Sequence, residues 1–154
     1  MRCSTWLFAL MCAATAAYGQ SASSDGAAIQ QFLRAADSYA FAHRQADRRP
    51  TVPRRVAEGV LLTPLVSAVL RERIAAAVKA GCPALEPSAD SFAVPSVGAS
   101  IADTQPLDPC VSARLPKLPE ELDYRVAGAA MLLVDTHLQM VVDVLHAAFP
   151  RRDN

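Results

Sequence analysis

The side chains best suited to chemistry in this chain are its three histidines, two of which stand near aspartates. His137 follows Asp135 by two residues, and His146 follows Asp143 by three. These pairs contain the nitrogen and oxygen donors that zinc takes in proteins. Their spacing matches no zinc-ligand motif, and polar turns collect the same residues for local hydrogen bonding. We therefore predict solvated positions for both pairs and assign no metal ligand, no catalytic residue and no cofactor.

His43 has different surroundings, because it lies on the apolar stripe of a predicted helix. This placement is typical of a packed histidine with one ring nitrogen hydrogen-bonded, although such a group can also titrate or act as a base. Arg73 interrupts a second apolar arc, where an unpaired guanidinium would be costly. A carboxylate such as Asp123 or Glu120 could join His43 and Arg73 in a buried polar cluster. That cluster is one candidate ligand site, and an ordinary structural ion pair explains the same residues.

A dense group of basic residues follows His43. The group consists of Arg44, Arg48, Arg49, Arg54 and Arg55. Basic runs of this kind are typical of surfaces that bind anionic polymers or lipid headgroups, and also of solvated connectors. The formal net charge of the chain is +0, which provides no field to attract nucleic acid. The sequence therefore predicts an anionic envelope component as the candidate partner, and no nucleic acid.

The first 19 residues have the zones of a secretory signal peptide. Arg2 is a positive start, an apolar run follows it, and the small residues Ala17 and Gly19 precede the predicted cleavage before Gln20. The run is shorter than the roughly 20 apolar residues that span a bilayer. We expect a periplasmic or secreted protein with no transmembrane segment after cleavage. Lipidation at Cys12 fits poorly, because bulky residues precede that cysteine.

Cleavage would remove two of the 4 cysteines and leave Cys82 and Cys110. These two have one intramolecular pairing, and an exported chain meets an oxidising environment. Neither belongs to a Cys-x-x-Cys motif, and no histidine lies between them. We therefore predict a disulfide between them.

Apolar periodicity predicts two amphipathic helices in the N-terminal half of the mature chain. The first begins at Asp25, its N-cap, and ends near Asp47, after a flexible stretch at 20–26. The second begins at the Thr63–Pro64 cap and ends at Gly81. The predicted buried positions of the first are Ile29, Phe32, Leu33, Ala36, Tyr39, Ala40 and His43. Those of the second are Leu65, Val66, Val69, Leu70, Ile74 and Ala77.

The C-terminal half changes character twice. Residues 82–119 are rich in proline and lack helical periodicity, which predicts an irregular wrap with at most one short edge strand. Without the disulfide, the same composition would suit a disordered linker. Apolar runs at 122–126, 131–134 and 140–145 then predict a three-stranded antiparallel meander. The last run also fits a helical period, but its valine content favours a strand.

The residues of this half also carry a resemblance to a known family. The sequence from Leu115 to Arg125 reads LPKLPEELDYR, the run from Met131 to Asp135 follows it, and Tyr39 and His43 stand late in the first helix. Over residues 27–149 the chain resembles a family of small exported bacterial proteins of unknown function. The resemblance implies a two-helix N-terminal half and a small C-terminal sheet, and it implies no activity.

The sequence thus predicts one α+β domain at 27–149, with a signal peptide before it and a tail at 150–154. Its parts are a helical half at 27–81, the wrap at 82–119 and a β-meander at 120–149. Export, small size and the basic group favour a non-catalytic interaction module of the cell envelope or exterior. The alternative is a small periplasmic enzyme or ligand-binding protein that uses His43 and Arg73.

Overall fold

The computed structural model describes residues 16–48, 58–84 and 93–150, with the side chains of the first helix described from 24 to 45. Three helices and a four-stranded antiparallel sheet form an α+β fold, as the sequence predicts. The helices are α1 (Ala16–Arg48), α2 (Pro64–Lys79) and α3 (Pro109–Ser112). The strands are β1 (Gln105–Pro106), β2 (Leu122–Ala127), β3 (Ala130–Asp135) and β4 (Met140–Leu145), and they lie side by side in that order.

The first helix begins earlier than the sequence suggests. It runs for 33 residues from Ala16, so residues 20–26 are helical rather than flexible and Asp25 is not its N-cap. This stretch contains no proline and only isolated glycines. A helix whose later turns are stabilised by packing can therefore extend back through it. Of the predicted stripe, Phe32, Ala36 and Ala40 are fully buried, whereas Leu33 and Tyr39 are only partly buried. Within the described residues, no helix has both the length and the apolarity needed to cross a membrane.

The second helix packs its apolar face against α1 and the sheet. Thr63 caps it by accepting a hydrogen bond from the Val66 N–H, and Pro64 occupies the first turn. Leu65 was predicted to be buried but is 52% exposed. The buried face instead includes Ser67, whose hydroxyl donates to the Leu62 carbonyl at 2.9 Å. A hydrogen-bonded serine can be buried at little cost, which a purely apolar pattern does not predict.

Strands β2, β3 and β4 form the predicted meander, and the last apolar run is a strand rather than a helix. Alternate residues of these strands divide between two apolar clusters. One faces the helices, with Tyr124, Met131 and Leu133 among its members. The other lies on the opposite face and includes Leu132, Val134 and Ile101. Burial of both faces explains why β3 is apolar at every position before Asp135.

A buried carboxylate in β4 holds the chain that leads into α2. Asp143 is fully buried, and its oxygens accept hydrogen bonds from the N–H groups of Gly59, Leu61, Leu62 and Val144 at 2.8–2.9 Å. An unsatisfied carboxylate would be costly at this depth. The four donors satisfy it and fix the loop before Thr63 against the sheet.

The proline-rich wrap covers both outer edges of the sheet. The N–H of Gly98 donates to the Val141 carbonyl in β4, and the Ala99 carbonyl accepts from the Val141 N–H. The N–H of Ile101 donates to the Gln139 carbonyl in the turn before β4. A few residues later, β1 pairs with the outer side of β2. Arg125 secures this passage by donating to the Thr104 side chain and carbonyl, both at 2.7 Å.

The short distance between these two edge pairings shows that the sheet is curled. Four residues, from Ile101 to Gln105, reach about 14 Å when fully extended. In a flat sheet, β2, β3 and β4 would separate β1 from the segment that pairs with β4, and these two would lie at least about 19 Å apart. A bulge at Leu133 and Val134 contributes to the bend. The sheet therefore curls around its second apolar cluster, and the wrap closes it.

The wrap is tied to the helical half by the predicted disulfide. Cys82, just after α2, bonds to Cys110 in α3, with 28 residues of sequence separation and a Cα–Cα distance of 5.5 Å. The bond converts the proline-rich segment into a closed loop.

We predict that replacing both cysteines, Cys82→Ser with Cys110→Ser, lowers the free energy of unfolding by about 3–4 kcal/mol, because a loop of this length gains chain entropy when it opens. Urea unfolding of the oxidised protein measures the loss. Reductant should lower the free energy of unfolding of the wild type to that of the variant, and it should leave the value for the variant unchanged. Equal stability of the variant and the oxidised wild type would contradict the prediction.

Candidate functional site

Tyr39, His43, Asp135 and His137 meet where the late turns of α1 lie against the end of β3. We call this group the histidine cluster. Tyr39 and His43 are four residues apart and therefore share one face of α1. Asp135 is the last residue of β3, and His137 lies in the turn that leads to β4. The cluster thus joins two parts of the chain that are almost a hundred residues apart.

Asp135 stands at the centre of the cluster and is fully buried. Its Oδ1 accepts hydrogen bonds from the N–H groups of His137 and Leu138 at 2.9 and 2.8 Å. Its Oδ2 accepts one from the Tyr39 hydroxyl at 2.9 Å and lies 3.3 Å from His43 Nε2. Both oxygens are therefore satisfied, one by the turn and the other by α1.

The two histidines differ in access to solvent. The His43 ring is buried, whereas the His137 ring is exposed and stacks on it with centroids 5.5 Å apart and an interplanar angle of 23°. The Tyr39 ring is tilted by 32° to that of His43, with a centroid distance of 6.5 Å. A ligand could thus reach the cluster from the side of His137.

A buried carboxylate stands close to the cluster. Glu121, just before β2, accepts a hydrogen bond from Arg44 through Oε1, while its Oε2 is buried without a hydrogen-bond partner among the described residues. Its carbonyl accepts from the N–H of Thr136, the residue between Asp135 and His137. Glu121 therefore packs against the same turn that carries His137.

The surroundings shift the titration of two of these groups. Burial is the main cause that raises the pKa of Tyr39 well above its ordinary value, and the bonded Asp135 raises it further, so the phenol keeps its proton. Burial alone would also raise the pKa of Glu121. Its own backbone N–H and the Arg44 guanidinium outweigh that effect, with a smaller contribution from His137, and the pKa of Glu121 lies below its ordinary 4.5. Glu121 is therefore charged at neutral pH.

The predicted partners of His43 are only partly correct. His43 does join a buried carboxylate, but this is Asp135, whereas Glu120 and Asp123 are exposed. Arg73 is half-buried on α2, where its charge acts on the buried Tyr124 and partly offsets the rise that burial causes in the pKa of that phenol.

The basic group is only partly within the described residues. Arg44 pairs with Glu121, so its charge is neutralised locally. The side chain of Arg48 and the whole of Arg49, Arg54 and Arg55 lie outside the described residues. Docking on an anionic surface through these residues stays a prediction.

The prediction of solvated positions for the two His–Asp pairs is correct for the exposed His137 and His146 but wrong for Asp135 and Asp143, which are fully buried. His146 is exposed and lies 2.9 Å from Glu58, while Asp143 binds backbone N–H groups in the core. Asp135 and His137 instead come together with His43, and the three offer donor atoms that lie within 4.8 Å of one another. Two nitrogens and one oxygen at this spacing could hold a metal ion. The sequence contained one signal for this arrangement, an aspartate that ends a fully apolar run two residues before a histidine.

We predict that Arg44→Gln lowers the free energy of unfolding at pH 7 by about 1–2 kcal/mol, because it leaves the buried Glu121 carboxylate without its charged donor while solvent compensates in part. Urea unfolding measures the effect. Arg34→Gln, which removes an exposed cation from the same helix, is the matched control and should have little effect.

The same pair predicts an acid dependence of stability. Because the pKa of Glu121 is lowered on folding, its contribution is complete above about pH 4.5 and is lost as the pH falls through the folded pKa. Glu121→Gln should be less stable than the wild type at pH 7, and the difference should shrink as the pH is lowered below 4.5. A difference in free energy of unfolding between the two proteins that does not shrink as the pH falls below 4.5 would contradict the prediction.

Comparison of the chain with protein-family models, with curated proteins and with solved structures gave no match. The chemistry of the histidine cluster therefore has to be inferred from its own residues and their geometry.

Proposed function

We propose that this protein is an exported, non-catalytic binding protein whose ligand site is the histidine cluster. The observation that carries the proposal is the convergence of Tyr39 and His43 from α1 with Asp135 and His137 from the end of β3. Three of these four side chains are held by packing and hydrogen bonds, while the fourth, His137, is exposed. A rigid polar group with one accessible member suits binding, because little has to be ordered when the ligand arrives.

The state of Asp135 favours binding over proton transfer. A general base needs an oxygen or nitrogen that can take a proton from a substrate. Both oxygens of Asp135 already accept hydrogen bonds, and His43 is buried. The sequence also lacks a nucleophile elbow, a glycine-rich phosphate loop and a His-Glu-x-x-His helix.

Export is supported by the leader pattern and by the disulfide. Bonds of this kind persist in oxidising compartments and are rare in the reducing cytosol. The Cys82–Cys110 bond closes the wrap over the sheet, so the described fold includes an oxidised bond in its architecture.

We predict that the full chain, expressed in a bacterium with a periplasm, is recovered outside the cytoplasm with a mature N-terminus at Gln20. Mass spectrometry of the fractionated protein measures both the cleavage and the oxidation, and an alkylating reagent should leave Cys82 and Cys110 unmodified. Replacement of the apolar run by charged residues is the control for targeting. Uncleaved protein with two reactive thiols in the cytoplasm would contradict export.

We further predict that protein purified gently from that fraction carries a bound ligand of fixed mass. Native mass spectrometry should show this ligand on the wild type and on His146→Gln, and should show its loss from His137→Gln, because only His137 belongs to the histidine cluster. His146 is a matched control, since it is also an exposed histidine with one polar neighbour. Ligand-free wild type, or equal retention by the two variants, would contradict a binding site at the cluster.

A further inference from the structure

The histidine cluster contains the donor atoms of a metal site as well as a polar binding group. His43 Nε2 and Asp135 Oδ2 are 3.3 Å apart, and the donor atoms of His43, Asp135 and His137 all lie within 4.8 Å of one another. In a tetrahedral zinc shell with bonds of about 2.0–2.1 Å, neighbouring ligand atoms stand roughly 3.3 Å apart. Two of the three donors thus already have that spacing, and the third lies in an exposed turn, where a small side-chain movement can complete it.

We propose that the ligand of the histidine cluster is a divalent transition-metal ion of the zinc class, bound by His43, Asp135 and His137. This inference rests on the function proposed above and names the class of ligand. Two imidazoles and one carboxylate suit zinc, cobalt, nickel and copper, whereas calcium and magnesium prefer shells built from oxygen alone. Three protein ligands leave the fourth position of a tetrahedral shell for water or another small ligand.

The groups around the three ligands support this assignment. Metal-binding side chains are usually oriented by hydrogen bonds from a second layer of residues. The Tyr39 hydroxyl and the N–H groups of His137 and Leu138 hold the Asp135 carboxylate in this way. The His43 ring contacts the rings of Tyr39 and His137.

Glu121 provides a second, independent observation. Its side chain is 6% exposed, and Oε2 has no hydrogen-bond partner among the described residues. A buried, charged oxygen without a donor is unfavourable unless a positive group is near. Arg44 donates to the other oxygen, and the carbonyl of Glu121 accepts from the N–H of Thr136, the residue next to His137. A cation bound by His137 would add positive charge at the turn against which Glu121 packs.

Direct titration of the oxidised protein with the metal alone tests the proposal. Protein stripped with a chelator is titrated with Zn²⁺ in competition with a chromophoric chelator, and with Co²⁺ to observe the absorption of a tetrahedral site. We expect one ion per chain, and at least about tenfold weaker binding by His137→Gln, because one of three ligands is lost. His146→Gln should bind as the wild type does. Mg²⁺ should not compete at equal concentration.

His43→Gln should also weaken binding at least about tenfold, but it changes a buried residue, so its folding is checked first by circular dichroism. His137→Gln changes an exposed residue and keeps the test decisive if His43→Gln does not fold. Equal zinc affinities of His137→Gln and His146→Gln, or fewer than one ion per chain, would overturn the proposal.

The result also separates this inference from the function on which it rests. If native mass spectrometry shows a ligand that depends on His137 but the titration finds no metal site, the cluster binds another ligand and the metal assignment is wrong. If neither measurement depends on His137, both proposals fail.

Discussion

The burial of Asp135 is the constraint on which the relation between the helices and the sheet depends. A fully buried carboxylate needs donors on both of its oxygens, and a single element does not supply them. The β3–β4 turn provides two N–H groups, and α1 provides the Tyr39 hydroxyl. Because this last donor lies on α1, the late turns of that helix have to lie against the end of β3.

Asp143 has a comparable role one strand away. It accepts from four backbone N–H groups, three of them in the loop before α2. Apolar contacts tolerate a helix that slides or rotates by a fraction of a turn, whereas these hydrogen bonds have a narrow range of distance and angle. The two aspartates therefore specify positions for α1 and α2 that the apolar faces alone leave open. These hydrogen bonds also explain why two fully buried aspartates are compatible with a stable fold.

Much of the fold could be predicted from local patterns, since helix caps, apolar periodicity and valine-rich runs act over a few residues. Thr63 and Pro64, the stripe of α1 and the three long strands illustrate this. The disulfide was predictable because two mature cysteines have one pairing. The early start of α1 was not, because helix extension depends on stability elsewhere in the same helix.

The site was harder to predict, since it depends on contacts between distant parts of the chain. The sequence indicated His43 as a packed histidine beside a carboxylate, but it could not distinguish Asp135 from Glu120 or Asp123. That choice depends on which acid ends a strand facing α1, and therefore on the register between β2 and β3. Glu121 gave no signal, because neighbouring glutamates at 120 and 121 look alike until the turn buries one of them.

The curled sheet and its wrap have a consequence for how this protein avoids self-association. A sheet with an open outer strand presents unpaired N–H and C=O groups, on which a second molecule can add its own strand. Here the chain at 98–101 occupies that position beside β4, and β1 occupies it beside β2. Both occupants belong to the segment that the Cys82–Cys110 bond closes. The disulfide therefore also helps to keep these two strand edges paired. In the newly made, reduced polypeptide this restraint is absent, so strand addition between molecules has to be limited in another way.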